Sequence, residues 1–280
     1  MLEADIGRRI GRVQQTSIYV GKCWRLFVNE KQWKNCISTA IIMFLISLVT
    51  SEKTFRDYMQ TRNSCFAIIC ACIWIGLFNS IQSICRERGI IKREHRTGLS
   101  ISAYICAHVI FEAIVCTCEG LIVLTAVLIG NSSHLPESGV IFPMGLDLFL
   151  TLFLAIFASD MMAILVSSIV KDSNSAMTVM PFVLIIQLIM AGVVFDLSGI
   201  TDRISNITVS KWGLNGLMSI ALTSFEVSSS FYLYPTLKDN PWQKAEDTNL
   251  ALIWLILLLI AMACVILSIF ALNFVDRDKR

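Results

Sequence analysis

The sequence predicts an all-α integral membrane protein: six transmembrane helices, an N-terminal amphipathic surface helix, and a re-entrant outer element between helices five and six. Three observations predict this. Hydrophobic residues make up 55% of the 280 residues and charged ones only 16%, against an apolar share of about 45–50% in soluble proteins. Six apolar runs, 35–50, 64–85, 101–130, 142–170, 175–197 and 249–275, approach the roughly 20 residues needed to cross a hydrocarbon core about 30 Å thick. The 23 Lys and Arg residues are also divided unequally between alternate connections. Seven lie up to Lys34, five in 86–96, one at Lys171 and three after Val275, against three in 50–63 and four in 196–248. Basic residues stay on the cytoplasmic side, so both termini are predicted to be cytoplasmic in a multi-pass protein of the cell membrane.

Before the first run, Ile6, Ile10, Val13, Val20, Trp24 and Phe27 recur at three- and four-residue spacing, while Arg8, Arg9, Arg12, Lys22 and Arg25 lie mostly elsewhere around the helix. That pattern predicts a helix lying along the membrane surface within a connecting segment, 1–34. It serves as an anchor alone or also touches a cytoplasmic partner. The first 34 residues show no cleavable leader, so the first span is expected to remain in place. The transmembrane domain is assigned to 35–280.

The stretch 85–104, CRERGIIKREHRTGLSISAY, packs five basic residues between two apolar runs. It is predicted to form a polar helix in the connection 86–100, held at the cytoplasmic surface and pressing Ile90 and Ile91 into a partner. Spans four and five are joined only by KDSNS, 171–175, which makes them antiparallel neighbours, and Pro181 bends span five because it lacks a backbone donor. The outer element, 198–248, contains a short apolar helix around Trp212, Leu214, Leu217 and Ile220, too brief to span, followed by an irregular stretch with Pro235 and Pro241.

Several function classes have little support. The chain has no phosphate-binding loop, nucleophile elbow or paired-His zinc motif, and His95, His108 and His134 are dispersed. The net charge of +2 is spread between spans, so there is no basic face for nucleic acid. The pairs Cys70/Cys72 and Cys116/Cys118 point to different helix faces and read as small buried hydrophobes more readily than as metal ligands. No metal and no cofactor is expected on this chain.

Ionisable residues inside spans usually face a partner or a water-filled path. Here they are Glu112 and Glu119, seven residues apart on one face of span three, and Asp160 on span four. They form either a proton or cation relay or a structural network between helices. Asn79 and Gln82 on span two and Gln187 on span five either join helices or touch a substrate.

Glu87-Arg88, Ile90-Ile91, Arg93-Glu94, Gly98 and Ser102-Ala103-Tyr104 resemble the coupling-helix region of ABC transporter permeases of the subfamily G exporter type. That family carries one more residue before the tyrosine. Ala191-Gly192-Val193-Val194-Phe195 resembles its small-Gly-apolar segment, and 210–217, SKWGLNGL, resembles the segment after its re-entrant outer helices. The resemblance covers nearly the whole chain. It implies a permease working by alternating access as a homodimer or pseudo-symmetric heterodimer among membrane lipids, driven by two copies of an ABC ATPase subunit that bind ATP and Mg. Glu87, Ile90, Ile91, Arg93, Glu94 and Gly98 would couple to the ATPase. Ile75, Phe78, Asn79, Leu184, Gln187 and Leu188 would line the substrate cavity, Val193 and Val194 would close its outer gate, and Gln82, Glu112 and Asp160 would form a polar relay. A prokaryotic subunit with its ATPase on a separate chain is the simplest account, exporting a peptide, lipid or drug-like molecule. A non-transporting membrane sensor or assembly scaffold is the alternative.

Overall fold

The structure is a computed structural model that describes residues 11–49, 54–130, 135–136, 138–195, 197–224 and 249–273. The expectations for Ile6, Arg8, Arg9, Ile10, His134, Pro235, Pro241, the rest of 225–248 and the basic tail after Val275 lie outside the described residues. The described residues form ten α-helices and no strand.

Helix α1, Arg12–Asn29, falls in the segment for which an amphipathic helix is expected. It lies against α5, Ile101–Gly130, through an aromatic seam in which Tyr19 meets Tyr104 edge-on at 5.4 Å and Phe27 meets Phe111 at 5.6 Å. Burial pushes the Cys23 thiol on its inner face up to about 12, so Cys23 stays protonated and packs as a small hydrophobe. Helix α2, Lys34–Val49, packs on α5 and on α3, Tyr58–Ser80.

Helix α3 ends five residues before the predicted end of span two, and the chain turns at Ile81 and Gln82 into α4, Ser83–Arg96. The backbone N–H groups of Ile84 and Cys85, at the start of α4, donate to the Ser167 hydroxyl at 3.0 Å each. A residue of a distant helix thus satisfies donors that a helix start leaves open. Apolar composition alone carries no signal for such a break.

Helix α6, Met144–Ile169, is the central column. Helices α3, α5 and α4, the outer helix α9, Val209–Ala221, and the last helix α10, Leu250–Asn273, all pack on it. Small residues bring the backbones together: a Cβ at Gly76 of α3 would meet the Ile156 carbonyl, Ser159 Cβ at 2.9 Å and Asp160 N at 3.0 Å. A Cβ at Gly216 of α9 would lie 2.7 Å from Thr151 Cγ2 of α6.

Helix α7, Ser173–Ile189, contains Pro181 and begins two residues after Lys171. Asp172 caps it, accepting from Ser175 N at 2.8 Å. That backbone hydrogen bond, with the Ser175 hydroxyl second, lowers the Asp172 pKa from its ordinary value. The cap therefore acts above the ordinary carboxylate range and is lost as pH falls through the lowered value. Asp172→Ala is expected to speed exchange of the Ser175 amide severalfold at pH 7, read by hydrogen–deuterium exchange, with the wild type approaching the variant only in acid.

Among the described residues, four helical stretches are long and apolar enough to span a membrane: Tyr58–Arg96, which takes in α3 and α4, Ile101–Gly130, Met144–Ile169 and Leu250–Asn273. Helices α2 and α7 have 16 and 17 residues, about 24–26 Å at the helical rise, somewhat short of the hydrocarbon core. After α7 come the short α8, Ile200–Ser205, and the largely buried α9.

Candidate functional site

The basic helix α4 is amphipathic in three dimensions. Ile91 is fully buried and Ile90 is 37% exposed, so only one of the two predicted docking isoleucines faces outward. Arg86, Gly89, Ile90, Arg93 and Arg96 form a single exposed stripe at the three-to-four-residue period of one helix face. The acidic residues point the other way. Glu87 pairs with Lys22 of α1 at 2.9 Å and accepts from the Tyr104 hydroxyl at 2.9 Å, and Glu94 accepts from the Tyr19 hydroxyl at 2.6 Å. Burial, with Glu94 next to it, raises the pKa of Tyr19 and keeps it a donor. Arg88 donates to the carbonyls of Ser168 and Val170 at 2.9 and 2.8 Å, covering the open end of α6. Gly98, at φ +110°, allows the exit turn, in backbone geometry that glycine reaches without strain. Glu87, Ile91 and Glu94 thus fasten α4 to α1, α5 and the core, leaving Ile90 and Arg93 as the outward contacts.

An apolar groove of about 840 Å³ runs between α2, α3 and the end of α7. The predicted Ile75, Phe78, Asn79, Leu188 and Val194 line it, and Trp74 and Phe78 stack along it at 6.4 Å. Leu184 and Gln187 lie elsewhere. Leu184 is packed in the core, and Gln187 accepts from the Ser210 backbone N–H at 3.1 Å at the start of α9 while contacting Met162 Sδ at 3.5 Å. The opposite wall comes from α2: Asn35, Ser38, Thr39, Ile42 and Ile46. Sequence reasoning placed no cavity residue on that helix. The available signal was the clustering of the polar Asn35, Ser38 and Thr39 on one face, which Ile42 and Ile46 continue at three- and four-residue spacing.

Val193 packs against the core and Val194 is exposed toward the groove. The turn that presents them is held by Arg62 of α3, whose Nη2 donates to the Gly192 carbonyl at 2.8 Å. Gly192 has φ +73°.

The intramembrane acids converge. Glu119 accepts from Asn79 Nδ2 at 2.7 Å and from the Thr39 hydroxyl at 3.3 Å, and Asn35 reaches Asn79 at 3.4 Å. Three helices are joined in this way. Asp160 is fully buried, 3.8 Å from the Cys116 thiol and within electrostatic reach of Glu112 and Glu119. The Ser80 hydroxyl faces both Glu112 and Asp160, although Ser80 Oγ and Asp160 Oδ1 close no hydrogen bond of good geometry among the described residues. Gln82 stands apart from Asp160 but shares with Glu112 a second, polar crevice at the α3–α4 bend.

A helical membrane bundle with a basic elbow helix at one face and an apolar groove between its helices has the form of a transport permease. The ABC-2 type transporter family matches residues 14–222, and the chain belongs to that family, as a membrane component of an ABC transporter. A relative, the ABC transporter ATP-binding/permease protein Rv1747 of Mycobacterium tuberculosis, is 27% identical over 143 residues, which are 50% of this chain and 16% of that protein.

Proposed function

We propose that this chain is the permease of an ATP-driven exporter, working as a dimer with two ABC ATPase units that bind ATP and Mg and moving a hydrophobic or amphipathic molecule by alternating access. The observation that carries the reading is α4, a helix locked on one face by Glu87, Arg88, Ile91 and Glu94 and presenting Arg86, Ile90 and Arg93 on the other. A push on the exposed stripe reaches α1 through Lys22–Glu87 and α6 through Arg88 without first deforming α4. In this reading the α4 side is cytoplasmic, α2 and α7 complete a set of six spans, α8 and α9 belong to a re-entrant outer element, and the 191–195 turn is the outer gate. The groove between α2, α3 and α7 supports an apolar or amphipathic cargo.

The test replaces only the exposed stripe. Ile90→Asp with Arg93→Glu is expected to reduce copurification of an ATP-hydrolysing partner from native membranes at least tenfold, with expression and thermal stability unchanged. Undiminished copurification overturns the coupling role, and a wild type that brings down no ATPase activity favours the sensor or scaffold reading.

A further inference from the structure

The polar crevice at the α3–α4 bend is distinct in chemistry from the apolar groove. It has a volume of about 240 Å³ and lies between α1, α2, α3, α4 and α5, with Met177 of α7 at its edge, sharing only Asn35, Phe78 and Asn79 with the groove. Two of its carboxylates are neutralised within the chain: Glu30 pairs with Arg86 and Glu87 with Lys22. Glu112 is different. Glu112 is only 6% exposed and lines the crevice with Cys23 and His108, yet among the described residues it has no ion pair, and the groups near it include the Ser80 hydroxyl, the Cys23 thiol and the acid Glu119. Asp160 adds a further acid behind it, and no lysine or arginine among the described residues forms an ion pair with any of these three carboxyls.

A buried carboxylate without a cation is costly, and a cation entering the crevice would relieve that cost. The lining says which kind of cation fits. Gln82 and Asn35 supply amides near the mouth, and Phe78 and Phe111 supply aromatic walls, suited to the apolar body of an organic cation and to cation–π contact with its charge. No three His, Cys, Asp or Glu side chains among the described residues are grouped as metal ligands.

We propose that this crevice is a binding site for a compact organic ammonium compound, its charged nitrogen on the Glu112 carboxylate and its apolar part between Phe78 and Phe111. An occupant would touch Ile81 and Gln82, the hinge between α3 and α4, and so would bias the angle at which α4 leaves the bundle. The proposal rests on the crevice alone, and its test reads binding, so its failure leaves the transport reading standing.

The probes are 2-phenylethylamine, cationic at pH 7.4, and 2-phenylethanol, its neutral counterpart of equal size, titrated calorimetrically into the full chain in lipid nanodiscs. Saturable binding of the amine is expected, at least tenfold tighter than the alcohol, with Glu112→Gln weakening the amine at least tenfold and Gln82→Leu about threefold. Equal binding of the two probes, full amine affinity in Glu112→Gln, or no saturable binding overturns the proposal. Should Glu112→Gln fail to fold, the probe pair on the unaltered chain still decides.

Discussion

Gly76→Leu is expected to abolish the folded state, and Gly76→Ala to destabilise it by about 2 kcal/mol, within the range of about 1–3 kcal/mol for overpacking a tight contact. The crossing of α3 on α6 has no room for a side chain. A Cβ at position 76 points at the Ile156 carbonyl and lies 2.9 Å from Ser159 Cβ and 3.0 Å from the Asp160 amide nitrogen. Backbone and β-carbon atoms cannot swing aside as a long side-chain tip can, so the two helices must separate. Separation also strips Asp160 of its packed surroundings, since Asp160 sits at this contact. Thermal unfolding followed by size-exclusion elution measures the effect, and a Gly76→Leu protein that elutes and melts like wild type would refute the close crossing.

Asp147→Ala is expected to cost about 3 kcal/mol or more, and Asp147→Asn roughly half of that, because hydrogen bonds to a charged group contribute about 1.5–3 kcal/mol each. The carboxylate is fully buried and accepts from three successive backbone N–H groups, Val140 at 2.7 Å, Ile141 at 3.1 Å and Phe142 at 3.0 Å. Alanine leaves all three donors without that acceptor. Asparagine keeps one oxygen but turns an N–H₂ toward groups that are themselves donors. The turn is also tight: a Cβ at Gly139 would strike the Phe142 carbonyl and come within 2.7 Å of Asp147 Oδ2. Thermal stability and exchange of the 140–142 amides report both variants, and protected amides in Asp147→Ala would contradict the assignment.

These two sites show different degrees of legibility. Gly76 sits in an ordinary apolar run, and nothing local marks it as the closest approach of two helices. Asp147 falls inside the apolar run 142–170, where hydropathy gives it no role. Its role depends on the chain doubling back, which charge counting does not reveal.

The basic stretch 85–104 was readable as a helix between spans because five basic residues cannot enter hydrocarbon. Which of its residues face outward was not readable. Ile90 and Ile91 are chemically equal neighbours, and a rotation of about 100° per residue separates the exposed one from the buried one. Glu94 is acidic and looked available for a partner, yet the Tyr19 hydroxyl of a helix 75 positions earlier holds it.

By itself the sequence determined the membrane class, the amphipathic helix α1, the polar elbow and the family resemblance. These follow from hydropathy, charge asymmetry and local spacing, which act over one helix at a time. Only the tertiary structure decided the break at Ile81–Gln82, the contribution of α2 to the groove, the inward turn of Leu184 and Gln187, and the meeting of Glu112 with Ser80 and Asp160. In an apolar helix every face looks alike to the sequence, and the neighbouring helix decides which face is buried.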